Sequence, residues 1–233
     1  MFGWLGRVFM SWFQKRIILN SDAVVTLSFA LQKLGASWGV NCHYIPNGAD
    51  EIDASRVQGE IRLEGRFNLV YTGDKAKWKR TAEICEAMRH VPKDIKLYLT
   101  GRKEMYLNAY ASENCIFLGW LSKEEQWNVM RQADAFVVTA DQDCNAKLQE
   151  YLRWKKPILG YDGEANNFFK NGRNAILTRD YPSAILRLAN DPAFCRDIAA
   201  RAAEEIPVHT WLEIAGLFER FFEKLAKDSR NGH

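Results

Sequence analysis

Cysteine is sparse and scattered in this chain. Cys42, Cys85, Cys115, Cys144 and Cys195 are odd in number, and no two have the CxxC spacing. That speaks against a zinc site and against a disulfide framework, and it suits a reducing cytoplasm. Histidine is equally thin: His43, His90, His209 and His233 form no cluster. There is no Ser/His/Asp arrangement, no P-loop and no GxGxxG fingerprint, and neither an internal repeat nor a low-complexity segment. The formal charge of +3 over 233 residues is too small and too dispersed for a dedicated nucleic-acid binder. Long apolar runs are missing as well. Arg7, Lys15 and Arg16 interrupt the apolar Met1–Leu19 stretch, so it is too short to span a bilayer. It has no small-residue cleavage site of the kind a signal peptide needs.

The chain does have enough apolar surface, 47% of its residues, for a packed core. Its length fits one large α/β domain, or one domain and a fragment. Short β-rich runs alternate with helical patterns. Strands are predicted at Ala23–Leu27, His43–Ile45, Phe67–Thr72, Ile95–Thr100, Cys115–Leu118, Asp134–Thr139, Pro157–Gly160 and Ala175–Thr178. Helices fall near Phe29–Leu34, Lys79–His90, Lys103–Tyr110, Lys123–Gln132 and Ala146–Trp154. Three more helices close the chain at Pro182–Ala189, Pro192–Ile206 and Trp211–Lys227. Such alternation points to βαβ units and a doubly wound parallel sheet. Ser122 and Glu125 carry a capping-box signature. Pro46 and Gly48 mark a break, which divides the chain into a leading piece over residues 1–48, a linker over 49–63, a main domain over 64–208 and a final helix over 209–233. As a helix, residues 1–19 put Gly3, Arg7, Ser11, Gln14 and Lys15 on one face and the aromatics on the other. Such a face fits packing on its own domain, lying on a membrane surface, or docking on another polypeptide.

Two segments carry the chemistry. In Val70-Tyr71-Thr72-Gly73-Asp74-Lys75-Ala76-Lys77-Trp78-Lys79-Arg80 a strand ends at Gly73 and four cations follow. Open α/β sheets bind ligands at the carboxyl ends of their strands, where cations can neutralise a diphosphate as it leaves. The second is Asn145-Ala146-Lys147-Leu148-Gln149-Glu150-Tyr151, entered from the polar loop Asp141–Cys144. Free N–H groups at a helix start attract phosphate. Lys147 and Glu150, three apart, share a face, and a glutamate there can accept hydrogen bonds from sugar hydroxyls. After the strand Cys115–Leu118, backbone groups of Gly119-Trp120-Leu121 are in a position to meet a base edge. Gly101-Arg102 ends another strand; Arg102 reads first as a surface arginine and second as a cation for a phosphate.

Taken in order, these pieces resemble glycosyltransferase family 4, the retaining GT-B sugar transferases also called group 1. Tyr44-Ile45-Pro46-Asn47-Gly48-Ala49-Asp50 is similar to that family's linker between two Rossmann domains. Val70–Gly73 with Lys79 resembles its strand, glycine and phosphate-binding lysine. Ile116–Gly119 with Ser122–Gln126, Lys147–Tyr151 with Lys156-Pro157-Ile158, and Thr210-Trp211 resemble three further family segments. The resemblance implies a donor-binding Rossmann-like domain with a short remnant of the acceptor domain ahead of it. It implies hexosyl transfer with retention from a nucleotide-diphosphate sugar, UDP- or GDP-linked, for surface glycan or glycolipid synthesis.

On this resemblance Lys79 and Glu150 are the catalytic pair, on the diphosphate and the ribose. Gly73, Leu121, Gln142, Asp143, Asn145, Ala146, Lys147 and Leu148 complete the donor site. No metal or other cofactor is expected. Partners are the nucleotide sugar, a glycan or lipid-linked acceptor, an acceptor-domain subunit, and a membrane surface met by residues 1–19 at the cytoplasmic face. Two positions depart from the family pattern. Asp74 stands where a second phosphate-binding cation is usual, and Gln142 replaces the first glutamate of an E-x7-E motif, with Asp143 beside it. With most of the acceptor domain missing, a non-catalytic nucleotide-sugar-binding subunit, or a donor half completed by a partner, is the alternative.

Overall fold

The computed structural model describes residues 4–141, 146–163 and 168–231. They fall into two compact units, Met1–Gly48 with His209–His233, and Ala49–Val208.

The larger unit is built on six strands: β3 (Phe67–Tyr71), β4 (Ile95–Thr100), β5 (Cys115–Gly119), β6 (Ala135–Val138), β7 (Ile158–Tyr161) and β8 (Ile176–Thr178). The smaller unit holds the two that precede them in the chain, β1 (Val24–Thr26) and β2 (Cys42–Tyr44). The six are all parallel, in the order β5-β4-β3-β6-β7-β8. Near-continuous runs of Val, Leu, Ile and Phe suit strands buried on both faces. Alternation along β3 divides the core: Leu69 and Tyr71 pack on one face and Val70 on the other.

The first face is covered by α3 (Thr81–Ala87), α6 (Tyr181–Asn190) and part of α7 (Pro192–Glu205), through Ile84, Ile185 and Ile198. The second is covered by α4 (Lys123–Gln132) and α5 (Ala146–Arg153), through Trp127, Val129, Leu148 and Tyr151. The capping box at α4 forms as expected. The Ser122 hydroxyl accepts from the Glu125 N–H at 3.2 Å, and the Glu125 carboxylate accepts from the Ser122 N–H at 2.8 Å. The polar stretch before β3 lies along α4, where Asn128 and Gln132 donate to the Ile61 carbonyl, each at 2.9 Å.

Two helical expectations change. Lys103–Tyr110 forms 3-10 turns over Met105–Tyr110 instead of an α-helix. Leu107 is its one fully buried residue, Tyr106 and Tyr110 pack against the core beside it, and a stretch this short is marginal as an α-helix. Lys79–His90 breaks into a 3-10 turn at Lys77–Lys79, α3, and a second turn at Met88–His90. Arg80, at φ 58, is in the left-handed region and interrupts the helix.

In the smaller unit β1 pairs in parallel with β2, and its helices are α1 (Trp4–Leu19), α2 (Phe29–Ser37) and α8 (Trp211–Asn231). Phe29 stacks on Tyr44 at 4.3 Å, and Phe221 of α8 meets His43 at 4.8 Å. Thr210 and Glu213 cap α8 reciprocally: the Glu213 N–H donates to the Thr210 hydroxyl at 3.0 Å, and the Thr210 N–H to the Glu213 carboxylate at 2.7 Å. Among the described residues no helix is long and apolar enough to cross a membrane.

Candidate functional site

The strand order reverses between β3 and β6. The chain leaves β3 towards β4 on one side, and β6 continues towards β7 on the other. At such a switch point the loops after the two strands diverge and leave a crevice at the carboxyl ends. The loop after β3 is Thr72–Arg80, and the loop after β6 leads into α5. The topology therefore brings both chemistry-bearing segments to one crevice.

Tyr151 fixes their spacing. Its ring, buried at 1% exposure, stacks on Phe136 of β6 at 4.3 Å. Its hydroxyl accepts from the Thr72 N–H at 2.7 Å and lies 3.0 Å from the Thr72 hydroxyl. Helix α5 is thus tied to the end of β3. From the other side, the Thr139 hydroxyl donates to the Lys79 carbonyl. Tyr151 belongs to the Lys147–Tyr151 stretch, but its place in the chain says nothing of the strand it reaches across to.

Gly73 has φ 101, and a Cβ there would sit 3.6 Å from Cε of Lys147, so the lysine side chain crosses directly over it. Gly101, at the end of β4, packs against the Gly73 backbone, and a Cβ would approach its carbonyl oxygen to 2.9 Å.

Glu150, half-buried, lies between two lysines. Lys123 and Lys147 each donate to one of its oxygens at 3.0 Å, and Lys123 also pairs with Asp50 at 3.0 Å. Burial works to lower the pKa of Lys123, but the two carboxylates outweigh it and raise it. Each carboxylate oxygen of Glu150 has spent one acceptor site on a lysine and keeps another. The sequence analysis did not single out Lys123; its place directly after the Ser122 cap is the signal that aims it at α5.

The basic loop is arranged differently from the expectation of four cations at a diphosphate. Lys75 is fully buried, and its ammonium donates to the carbonyls of Gly73 (3.1 Å), Thr100 (2.5 Å) and Arg102 (3.1 Å). It pins strand ends together and is not presented to a ligand. Burial pulls its pKa down to about 8. Lys77 lies over the Tyr106 ring. Arg80 pairs with Glu83 at 2.9 Å and stacks on Tyr161 at 4.3 Å. Arg102 stays exposed, 3.8 Å from Glu104. Lys79 remains at the crevice, bound at 3.1 Å to Asp74 and lying over the ring of Trp78. Burial would raise the Asp74 pKa, but the hydrogen bond and charge of Lys79 with the Ala76 and Lys75 amides hold it lowered.

Of the other expected site residues, Ala146 is exposed at the start of α5, while Leu148 is buried in the core and offers the crevice only its backbone. Leu121 is half-buried in the loop after β5 and packs against the second core face. Gln142, Asp143 and Asn145 lie outside the described residues. Among the described residues no cluster of His, Cys, Asp and Glu is fit to hold a metal ion.

No protein-family model matches the chain, and no curated protein sequence does. Solved structures do. HepE from Anabaena, crystallised with UDP and glucose, superposes with a TM-score of 0.71 at 17% identity, over 87% of this chain and 63% of HepE. Sucrose-phosphate synthase from Thermosynechococcus elongatus gives 0.75 at 18% identity, over 92% of this chain and 61% of the enzyme. The C-terminal domain of LpcC, a group 1 glycosyl transferase from Francisella tularensis, gives 0.54 at 15% identity; 70% of this chain covers 94% of that domain. The chain spans less than two thirds of the length of the first two. The likeness is one of fold: a Rossmann-like α/β fold of the GT-B type.

Proposed function

We propose that the chain binds a nucleotide-diphosphate sugar, UDP-linked in the first instance, in the crevice between β3 and β6, and transfers the sugar with retention to a glycan or lipid-linked acceptor. The observation that carries the reading is the convergence of the Gly73–Lys79 loop and the Lys147–Glu150 face of α5 on one switch-point crevice. In the reaction the acceptor hydroxyl oxygen bonds to the sugar's anomeric carbon on the face from which the diphosphate departs, the carbon–diphosphate bond breaks with its electron pair going to the diphosphate, and the acceptor's proton passes to that departing diphosphate. Lys79 and the positive end of the α5 dipole meet its charge. Glu150 takes the ribose hydroxyls on the acceptor sites its lysines leave open, and the Leu121 backbone meets the base. Gln142 and Asp143 are assigned to the donor-sugar hydroxyls. The positive charge comes from side chains and amides, so the reading calls for no metal. HepE, with UDP and glucose in its crystals, supports the class of ligand.

A second reading is favoured by one observation: the Asp74–Lys79 ion pair sets a carboxylate beside the diphosphate position. On that reading the chain binds the nucleotide sugar without transferring it, or transfers it only with a partner that supplies the acceptor surface. Helix α1, with Phe9, Trp12, Phe13 and Ile17 exposed beside Lys15 and Arg16, is the proposed contact for that partner or for the membrane carrying the acceptor. The two readings separate when the purified chain is titrated with a panel of UDP- and GDP-sugars and donor hydrolysis is followed, with and without membranes and EDTA. The first expects binding and turnover insensitive to EDTA. Binding without any turnover leaves the second, and no binding to any nucleotide sugar sinks both.

A further inference from the structure

An open cleft of about 870 Å³ lies at the opposite edge of the large unit's sheet, at the amino ends of the strands. Phe67 of β3, Asp134 just before β6 and Pro157 just before β7 stand at its end. Strand β3 is five residues long, so this edge is about 17 Å from the crevice. A ligand here touches none of the groups assigned above, and the site stands or falls independently of the nucleotide-sugar reading.

Apolar surface from Trp154, Pro192 and Ala200 lines the cleft, while Arg66, Lys155, Lys156 and Arg196 contribute charge. The charges do not cancel. Arg66 is engaged by Asp94 at 2.9 Å and by the Ala189 carbonyl at 3.0 Å. Asp134, the one acid in the lining, accepts from the Asn68 N–H at 2.7 Å and its side-chain amide at 3.3 Å. Lys155, Lys156 and Arg196 have no ion-pair partner among the described residues. Lys155 is also at φ 51, in the left-handed region at the end of α5, where glycine would sit without strain. The chain keeps a strained lysine at the place where its side chain lines the cleft.

Apolar walls hold hydrocarbon, and an uncompensated lysine–lysine–arginine trio holds a phosphate, the arginine in two-pronged fashion. We propose that this cleft binds an anionic amphiphile, a phosphate monoester carried on an aliphatic chain. The phosphate lies at Lys155, Lys156 and Arg196, and the chain lies along Trp154, Pro192 and Ala200. The ligand is bound and does not react.

The test titrates the full chain by calorimetry with decyl phosphate below its micelle concentration, with inorganic phosphate, and with the neutral tetraethylene glycol monooctyl ether. Vesicles containing phosphatidic acid form a fourth arm. The expected result is one decyl phosphate per chain, with inorganic phosphate and the neutral amphiphile at least tenfold weaker. Lys156→Glu and Arg196→Glu should each weaken decyl phosphate tenfold or more. Ala203→Trp, which enters the cleft from an exposed position on α7, should abolish binding with thermal stability and UDP affinity unchanged. Equal affinity for inorganic phosphate would reduce the cleft to an anion site and overturn the proposal. So would equal affinity for the neutral amphiphile with no effect of charge reversal, or binding to vesicles alone. Should Ala203→Trp fail to fold, the two charge reversals decide.

Discussion

The two units of this protein use apolar surface in opposite ways. In Ala49–Val208 both faces of a six-stranded sheet are covered, and the large apolar residues sit in two core clusters. In Met1–Gly48 with His209–His233 the sheet has two strands, and among the described residues the exposed large apolar residues gather there. All but three of them in the described chain, Trp78, Met105 and Trp120, belong to this smaller unit. Large apolar side chains exposed in such number within one unit suit a surface that meets something else. The comparison teaches where each part of the function belongs. The large unit has the core rigidity to hold a constellation of charges in place, and the small unit has the surface to make contacts.

The largest expected effect tests the first half of that contrast. Phe136→Ala, which empties a fully buried site beneath Tyr151, should cost about 3–5 kcal/mol in urea unfolding. Leu212→Ala in the small unit, 82% exposed, should stay within about 0.5 kcal/mol. Equal losses would break the comparison.

Lys75 offers a pH test of the same core. Its pKa falls from 10.5 in the unfolded chain to about 8 in the fold. Between those values the unfolded chain holds the extra proton, so the Lys75 contribution to stability rises as pH rises from about 8 to about 10.5. Below pH 8 the full cost of the buried charge is present. Subtracting the stability–pH profile of Lys75→Met from that of the natural chain should leave this rising limb, and a flat difference would place the ammonium in solvent.

Tyr151→Phe should cost about 1–3 kcal/mol, because the buried Thr72 N–H loses its acceptor. Nucleotide affinity should fall with it, since α5 is no longer tied to β3. Within the crevice, Glu150→Ala and Lys79→Ala are each expected to weaken UDP binding by about 1–3 kcal/mol, the range of a lost charged hydrogen bond; unchanged affinity in both would move the site elsewhere. The smallest effect has the opposite sign. Asp74→Asn frees Lys79 from a largely exposed ion pair and should tighten UDP binding by at most about 1 kcal/mol, as read by calorimetry.

Much of the large unit was legible in the chain. The apolar runs that became β3 through β8 and the Ser122–Glu125 cap read correctly because each signal is local: a strand's composition and a cap's spacing are complete within a few residues. The Lys103–Tyr110 segment misled for the same reason. Its composition tolerates a helix, but so short a segment is marginal as one, and Tyr106, Leu107 and Tyr110 meet the core from 3-10 turns. The basic loop shows the limit most clearly. Lys75, Lys77, Lys79 and Arg80 look equivalent in a row, yet the fold buries the first under three carbonyls, lays the second on Tyr106, pairs the third with Asp74 and stacks the fourth on Tyr161. Four neighbouring cations meet four surroundings because the ends of β3 and β4, the Met105–Tyr110 turns, Asp74 of the loop itself and β7 each supply a different partner.

What the residue order determined alone is the alternation of strand and helix, the parallel sheet that alternation requires, and the two segments with the chemistry for phosphate and sugar hydroxyls. These follow from hydrophobic period and from donors and acceptors adjacent in the chain. Only the tertiary structure decided that the two segments share a crevice, that Tyr151 and Thr139 tie its sides together, that Lys123 and Asp50 join Glu150, and that Asp74 faces Lys79. Each of these is a contact between side chains far apart in sequence or a choice between competing partners. Such choices are made by strand order and by burial, which no local pattern contains.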